Sequence, residues 1–218
     1  GWLSHSSYDS TQLSWMWKRH AGFDVVAAKP QTGVAITHGL NAIPEMIWAK
    51  DRDQSAEWSI FHKGLNGGTN PEQYRLKFTT DAEQDTSNAW NDTAPTATHF
   101  TTGSWMNNNN MLFMLFASVD GISKVGYFAG DGTSNREIST GFQPRLLIIR
   151  KVTSTASWSV IDTKRGWTNG GAQKVIDIES NLGQANRSNW FSRNSTSFTI
   201  VQSDFNDSSE KYIYYAHA

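Results

Sequence analysis

Glu83-Gln84-Asp85-Thr86-Ser87-Asn88 comes nearest in this chain to a carboxylate motif for bond cleavage. Glycoside hydrolysis generally needs two carboxyl groups flanking the scissile bond, and a sandwich glycanase can mount them on one strand as Glu-x-Asp-x-x-Glu. The last position here is Asn88, and the matching place a hundred residues on reads Gly183-Gln184-Ala185. The segment therefore reads as loop polarity, no catalytic residue is assigned, and the chain is read as a non-enzyme. The six histidines (His5, His20, His38, His62, His99 and His217) form no His-Glu-x-x-His and no two-His spacing on a shared strand face. Without cysteine, thiolate sites and disulfides are excluded, and no metal is expected. Asp204-Phe205-Asn206-Asp207-Ser208-Ser209-Glu210 is rich in oxygen but lacks the ligand and glycine spacing of a calcium loop, so it reads as a polar hairpin connection. Gly64-Leu65-Asn66-Gly67-Gly68 and Trp167-Thr168-Asn169-Gly170-Gly171 lack the following helix that a phosphate cradle needs, and read as turns. No cofactor is implied.

Aromatic residues on polar loops remain. Sugars are bound by flat rings lying against C–H patches, with Asn, Asp and Arg reading the hydroxyls. Trp90-Asn91-Asp92 precedes Pro95, Trp105 stands beside the Asn107–Asn110 run, Trp167 precedes Asn-Gly-Gly, and Trp190 sits in Asn189-Trp190-Phe191. The ligand-binding candidates are thus Trp105, Trp167, Trp90, Asn91, Asp92 and Trp190. In the competing reading Trp90 and Trp190, which match at an offset of 100, plug the open ends of two domains.

The elements that must position these residues are strands. No long stretch repeats apolar residues at i, i+3, i+4 and i+7. Short β-branched and aromatic runs lie between turn signals instead. The spacing predicts strands over Phe23–Ala28, Val34–Thr37, Glu45–Lys50, Glu57–Phe61, Tyr74–Thr79, His99–Thr102 and Met111–Ser118. A second set follows over Lys124–Phe128, Arg136–Ser139, Arg145–Lys151, Ser157–Ile161, Lys174–Glu179, Ser197–Gln202 and Lys211–His217. Trp58-Ser59-Ile60-Phe61 recurs as Trp158-Ser159-Val160-Ile161, and Tyr74–Phe78 lines up with Lys174–Ile178. A repeat this long is a whole small domain rather than a solenoid unit. The expected fold is all-β: two tandem antiparallel β-sandwich, jelly-roll-like domains related by internal duplication. The expected boundaries are 1–21 for a terminal strand of a preceding unit or a linker, 22–120 for the first sandwich and 121–218 for the second. Trp58 and Trp158 are expected to anchor one interior each. Leu76, Phe78, Ile176 and Ile178 should face inward, and Arg75, Lys77, Val175 and Asp177 outward. Met111–Ala117 and Tyr212–Ala216 are apolar on both faces, so they are either covered on both sides or pack against another subunit.

Composition narrows the partners. Nineteen Lys+Arg against 20 Asp+Glu leave a net charge of -1, without the basic footprint of a nucleic-acid binder. No apolar run approaches the ~18 residues of a membrane-spanning helix, and no secretory leader is read at the start. Ten Trp, 11 Phe and 6 Tyr beside only 18% charged residues suit an extracellular or virion surface better than a cytosolic enzyme.

The motifs taken together resemble a repeated module of tailed-phage tail-fibre-like and other virion surface proteins. In the second half the likeness rests on Gly141-Phe142-Gln143-Pro144, Trp158-Ser159-Val160-Ile161-Asp162, Arg165-Gly166 and Tyr212-Ile213-Tyr214-Tyr215-Ala216. In the first half it rests on Gly39-Leu40, Pro44-Glu45-Met46, His62 to Pro71 and Trp90 to Thr96. The resemblance covers about residues 15 to 218. It implies a place on the virion, attachment to a bacterial surface glycan or related receptor, contacts with other virion subunits and a homotrimer. It implies no ligand-contacting or catalytic residue. The alternatives are a purely structural capsid-decorating or shaft unit and a glycan depolymerase.

Overall fold

The computed structural model describes residues 16–19, 22–169 and 171–218. The first half carries β1 (Phe23–Ala28), β2 (Ile36–Thr37), β3 (Met46–Asp51), β4 (Ser59–His62), β5 (Tyr74–Arg75), β6 (Gln84–Asp85), the single-turn helix α1 (Ser87–Trp90), β7 (His99–Phe100) and β8 (Met111–Phe116). The second carries β9 (Ser123–Ala129), β10 (Arg136–Ser139), β11 (Leu146–Lys151), β12 (Ser159–Asp162), β13 (Ala172–Asp177), β14 (Ala185–Ser188), β15 (Phe191–Arg193), β16 (Ser197–Ile200) and β17 (Lys211–His217). The fold is all-β and every pairing is antiparallel, as a β-sandwich requires.

Two sheets dominate, in the orders β1-β8-β3-β4 and β9-β17-β11-β12-β13-β14. The first four strands of the second sheet repeat the order of the first. Register repeats as well: Trp48 faces Met114 across the ladder where Ile148 faces Tyr215, and Met46 faces His62 where Leu146 faces Asp162. Side chains of a strand alternate between faces, so each sheet has two surfaces to cover. Ile47, Ala49, Phe61, Phe113 and Leu115 form one outer core beneath α1 and the β2–β7 pair. Leu147, Ile149, Ile161 and Tyr214 form the other beneath the small sheet β10-β16-β15. The opposite faces meet each other: Met46, Trp48, Ile60 and Phe116 pack with Ile148, Val160, Ile213 and Tyr215 in a middle core.

That middle core corrects two expectations. Trp58 and Trp158 do not anchor separate interiors; both lie against Phe78, at 5.5 and 5.2 Å between ring centroids. Val175, expected to face solvent, is buried in the second outer core, and Arg75 is also buried, because the face opposite Leu76 is covered too. The doubly apolar strands β8 and β17 lie inside their sheets and are covered on both faces within one chain. Their composition is thereby explained without a second subunit.

Polar contacts close the seam between the halves. Trp158 Nε1 donates to Lys77 O at 2.8 Å, and Glu83 N donates to Val152 O at 2.8 Å. The buried Arg150 donates to Thr79 O at 2.9 Å and Asp81 O at 2.6 Å, with its guanidinium 5.0 Å over the Trp158 ring. Residues 64–68, expected as a simple turn, lie against Tyr127 of β9 so closely that a Cβ at Gly64 would stand 2.3 Å from Tyr127 Cβ. Val119 and Ser123 pair in a tight turn, so the joint between halves is two hydrogen-bonded backbones rather than a tether.

Of the expected terminal strand, residues 1–15, 20 and 21 lie outside the described residues, and Met16 to Arg19 form no strand. Trp17 nonetheless packs into the middle core, 5.6 Å from Phe116 and 5.9 Å from Trp48. Among the described residues no helix is long and apolar enough to cross a membrane.

Candidate functional site

The two outer cores decide which loop tryptophans stay available. An exposed sheet face needs a lid, and where no strand supplies it a large ring on a loop does so. Trp90 ends α1, which Thr86 caps by accepting from Asn88 N at 3.2 Å. The turn drives Trp90 inward against Phe61, leaving it 2% exposed. Asn91 and Asp92 then take left-handed backbone at φ 53° and 46°, which their short polar side chains tolerate. Trp167 is 1% exposed and donates from Nε1 to Phe191 O at 3.2 Å. Trp90 and Trp167 therefore present no open ring to a ligand; they are lids, and Asn91 and Asp92 shape a turn. This corrects the surface role expected for Trp167, while for Trp90 the burial is that of the competing reading, a plug over the open end of a domain.

Trp105 and Trp190 remain. Trp105 sits on the short 3-10 turn Ser104–Met106 and is 43% exposed, with the Arg75 guanidinium 4.5 Å from its ring centroid. Trp190 follows β14 and is half-buried, 5.0 Å from the Phe205 ring and 5.0 Å from the Arg187 guanidinium. It lines a cleft of about 180 Å³ together with Arg187, Asp177, Lys151, Asp204 and Tyr212. The ends of β11 and β13, the edge strand β14 and the turn before β17 bring these residues together.

Charge in the cleft is balanced. Burial pushes the Asp177 carboxyl above the ordinary aspartate range, against a 3.1 Å hydrogen bond that it accepts from Ser159 Oγ. Lys151 lies 3.8 Å from Asp207 and 3.7 Å from Glu210. The Arg187 guanidinium makes no hydrogen bond among the described residues, so its donors are free for a guest. Aromatic wall, carboxylate acceptor and guanidinium donor are the parts that hold a polyhydroxylated ring. Sequence reasoning found Trp190 alone. Arg187, three residues earlier, and Asp177, opposite β12, carried no local motif.

The other sequence candidates for chemistry are engaged elsewhere. Glu83 accepts from Asn66 N at 2.7 Å, and Gln84 and Asp85 stand exposed on β6. Glu210 accepts from Ser154 Oγ at 2.7 Å and from Thr153 Oγ1, which ties the oxygen-rich loop to its neighbour. Among the described residues no group of three or more His, Asp or Glu could hold a metal ion.

No curated protein and no solved structure matches this chain. A family model does match, over residues 10–218, and by that match the chain belongs to the family DUF7483, a domain of unknown function.

Proposed function

We propose that this chain is a non-catalytic virion surface module of the tail-fibre kind, which attaches to a bacterial cell-surface glycan through the Trp190 cleft. One observation carries the binding half of that reading: an accessible indole, an under-used guanidinium and a partly buried carboxylate share one cleft. Its volume is well below the ~300–1,000 Å³ of drug-sized sites, which suits a single sugar ring at a chain end or branch. The virion placement rests on the tail-fibre resemblance.

Binding of the purified chain to an array of bacterial surface glycans tests the cleft. Trp190→Ala and Arg187→Ala should each weaken binding at least about tenfold, since alanine replacement of a central aromatic or arginine anchor commonly costs 2 kcal/mol or more. Trp90→Phe, a conservative change in a lid, should leave binding intact. Absence of binding to any glycan, or binding unchanged in both cleft variants, rules the reading out and leaves a purely structural virion unit. The fibre placement adds a homotrimer, for which light scattering on the eluting protein is the check.

A second reading has an observation behind it. Asp177 and Asp204 line the same cleft, and Asp177 is shifted in the direction a general acid requires. A depolymerase would release reducing ends from host polysaccharide and lose that release in Asp177→Asn; binding without release excludes it.

A further inference from the structure

Arg75 is a charge that the fold buries without giving its guanidinium a hydrogen-bond acceptor among the described residues. It closes β5 on the face opposite Leu76 and is 9% exposed. A guanidinium has five N–H donors, yet that of Arg75 makes no hydrogen bond among the described residues, and its Nε is sealed from solvent without a partner. The nearest carboxylate, Glu57 Oε2, stands 3.9 Å from Nη2, beyond hydrogen-bond reach, and is taken by Lys77 Nζ at 2.9 Å. Arg150 shows the usual outcome in the same chain: buried more deeply still, it spends its donors on the carbonyls of Thr79, Asp81 and Lys151. Burial without acceptors is costly for a charged group. It lowers the Arg75 pKa, with Glu57 opposing the shift, but arginine remains charged at neutral pH.

The surroundings point to an acceptor from outside. Trp105, the most exposed tryptophan among the described residues at 43%, has the guanidinium 4.5 Å from its ring centroid. That contact restrains the guanidinium, and its terminal nitrogens are not among the sealed unpartnered atoms. A planar fork held beside a flat apolar wall is pre-organised for a carboxylate, sulfate or phosphate carried on a compact ring.

We infer that Arg75 and Trp105 form a second binding site, selective for an anionic sugar, in which Arg75 takes the acidic group and Trp105 the ring. The site is built from the first half of the chain and shares no residue with the Trp190 cleft, so it does not depend on that cleft binding anything.

The test is a titration of the full chain with glucuronate, glucose 6-sulfate and glucose 6-phosphate, beside neutral glucose and inorganic sulfate and phosphate. The reporter is the Trp105 indole N–H signal, assigned by its loss in Trp105→Phe. The acidic sugars should shift it saturably, and glucose at least about tenfold more weakly, because the charge-assisted hydrogen bonds are missing. Arg75→Met should abolish acidic-sugar binding while leaving the thermal midpoint unchanged or raised, since it removes an unpaired buried charge and keeps the volume. Trp105→Ala should weaken the sugars more than the inorganic ions. Trp190→Ala should leave every affinity at this site unchanged. Non-saturating shifts, equal response to glucose, response to inorganic ions alone (an adventitious ion only), or unfolding of Arg75→Met would each overturn the inference.

Discussion

His62 is neutral by necessity. It is fully buried, its Nε2 donates to Tyr214 O at 3.3 Å, and its Nδ1 accepts from Gly64 N at 3.0 Å. A second proton would turn the Nδ1 acceptor into a donor facing a donor, and burial already penalises the charge, so its pKa falls from 6.5 to about 3. The folded value lies below the unfolded one, so its contribution is complete above pH 6.5 and is lost as the pH falls toward 3. Between those limits stability should drop by about 1.4 kcal/mol per pH unit. Asp24 and Glu45, held below their ordinary values by Arg19 and Lys63 against the effect of burial, add to the loss further down. Urea unfolding at pH 7, 6 and 5 should show the slope, and His62→Gln should flatten it while lowering stability at pH 7. A slope unchanged in the variant would assign it elsewhere. Arg150→Met, with its partner carbonyls stranded, should cost about 3 kcal/mol at any of these pH values. The sequence named His62 without these partners and did not single out Arg150. Both owe their roles to backbone atoms of the other half, which no local pattern encodes.

Most strands with a buried face were legible, although β15, with its buried Phe191, was not, and the recurrence of Trp58–Phe61 as Trp158–Ile161 fell on the matching strands β4 and β12. The strand β14 was missed for a physical reason: Ala185-Asn186-Arg187-Ser188 is an exposed edge, so it shows no apolar alternation. The inward turn of α1 stayed one of two readings, because a Trp beside Asn and Asp looks alike whether it caps a core or meets a sugar. The glycine loop was underread in the same way. Gly64 has φ -94°, a conformation open to any residue, so its need for glycine comes only from the Tyr127 side chain. Gly121 is the opposite case, with φ +73° and no atom within 4 Å. Gly64→Ala should therefore cost about 3 kcal/mol through overpacking, and Gly121→Ala about 1 kcal/mol through backbone strain alone. Chemical denaturation of both variants measures the difference, and equal costs would mean that the loop does not press on β9.

For the molecule as a whole, the middle core decides how the halves can behave. Each half carries an outer core of its own, which would let it fold alone if that were all. But the inner sheet faces, with Trp48 and Phe116 on one side and Ile148 and Tyr215 on the other, pack against each other in one core, with Trp17 and Phe78 at its side. Separating the halves would bare contiguous apolar surface beyond what a soluble monomer usually carries. It would also strip Arg150 of its Thr79 and Asp81 carbonyls and Trp158 of its Lys77 partner. The full chain should therefore unfold in one transition, with fluorescence and far-ultraviolet circular dichroism changing together. Residues 22–120 and 121–218 expressed separately should aggregate or bind a hydrophobic dye, and should regain solubility when coexpressed. Two well-separated transitions, or two soluble monomeric halves with full-length stability, would show that the middle core is a loose contact. In that case a sheet-to-sheet seam could not hold the Trp105 and Trp190 sites at a constant spacing, and only the two outer cores would fix where each tryptophan points.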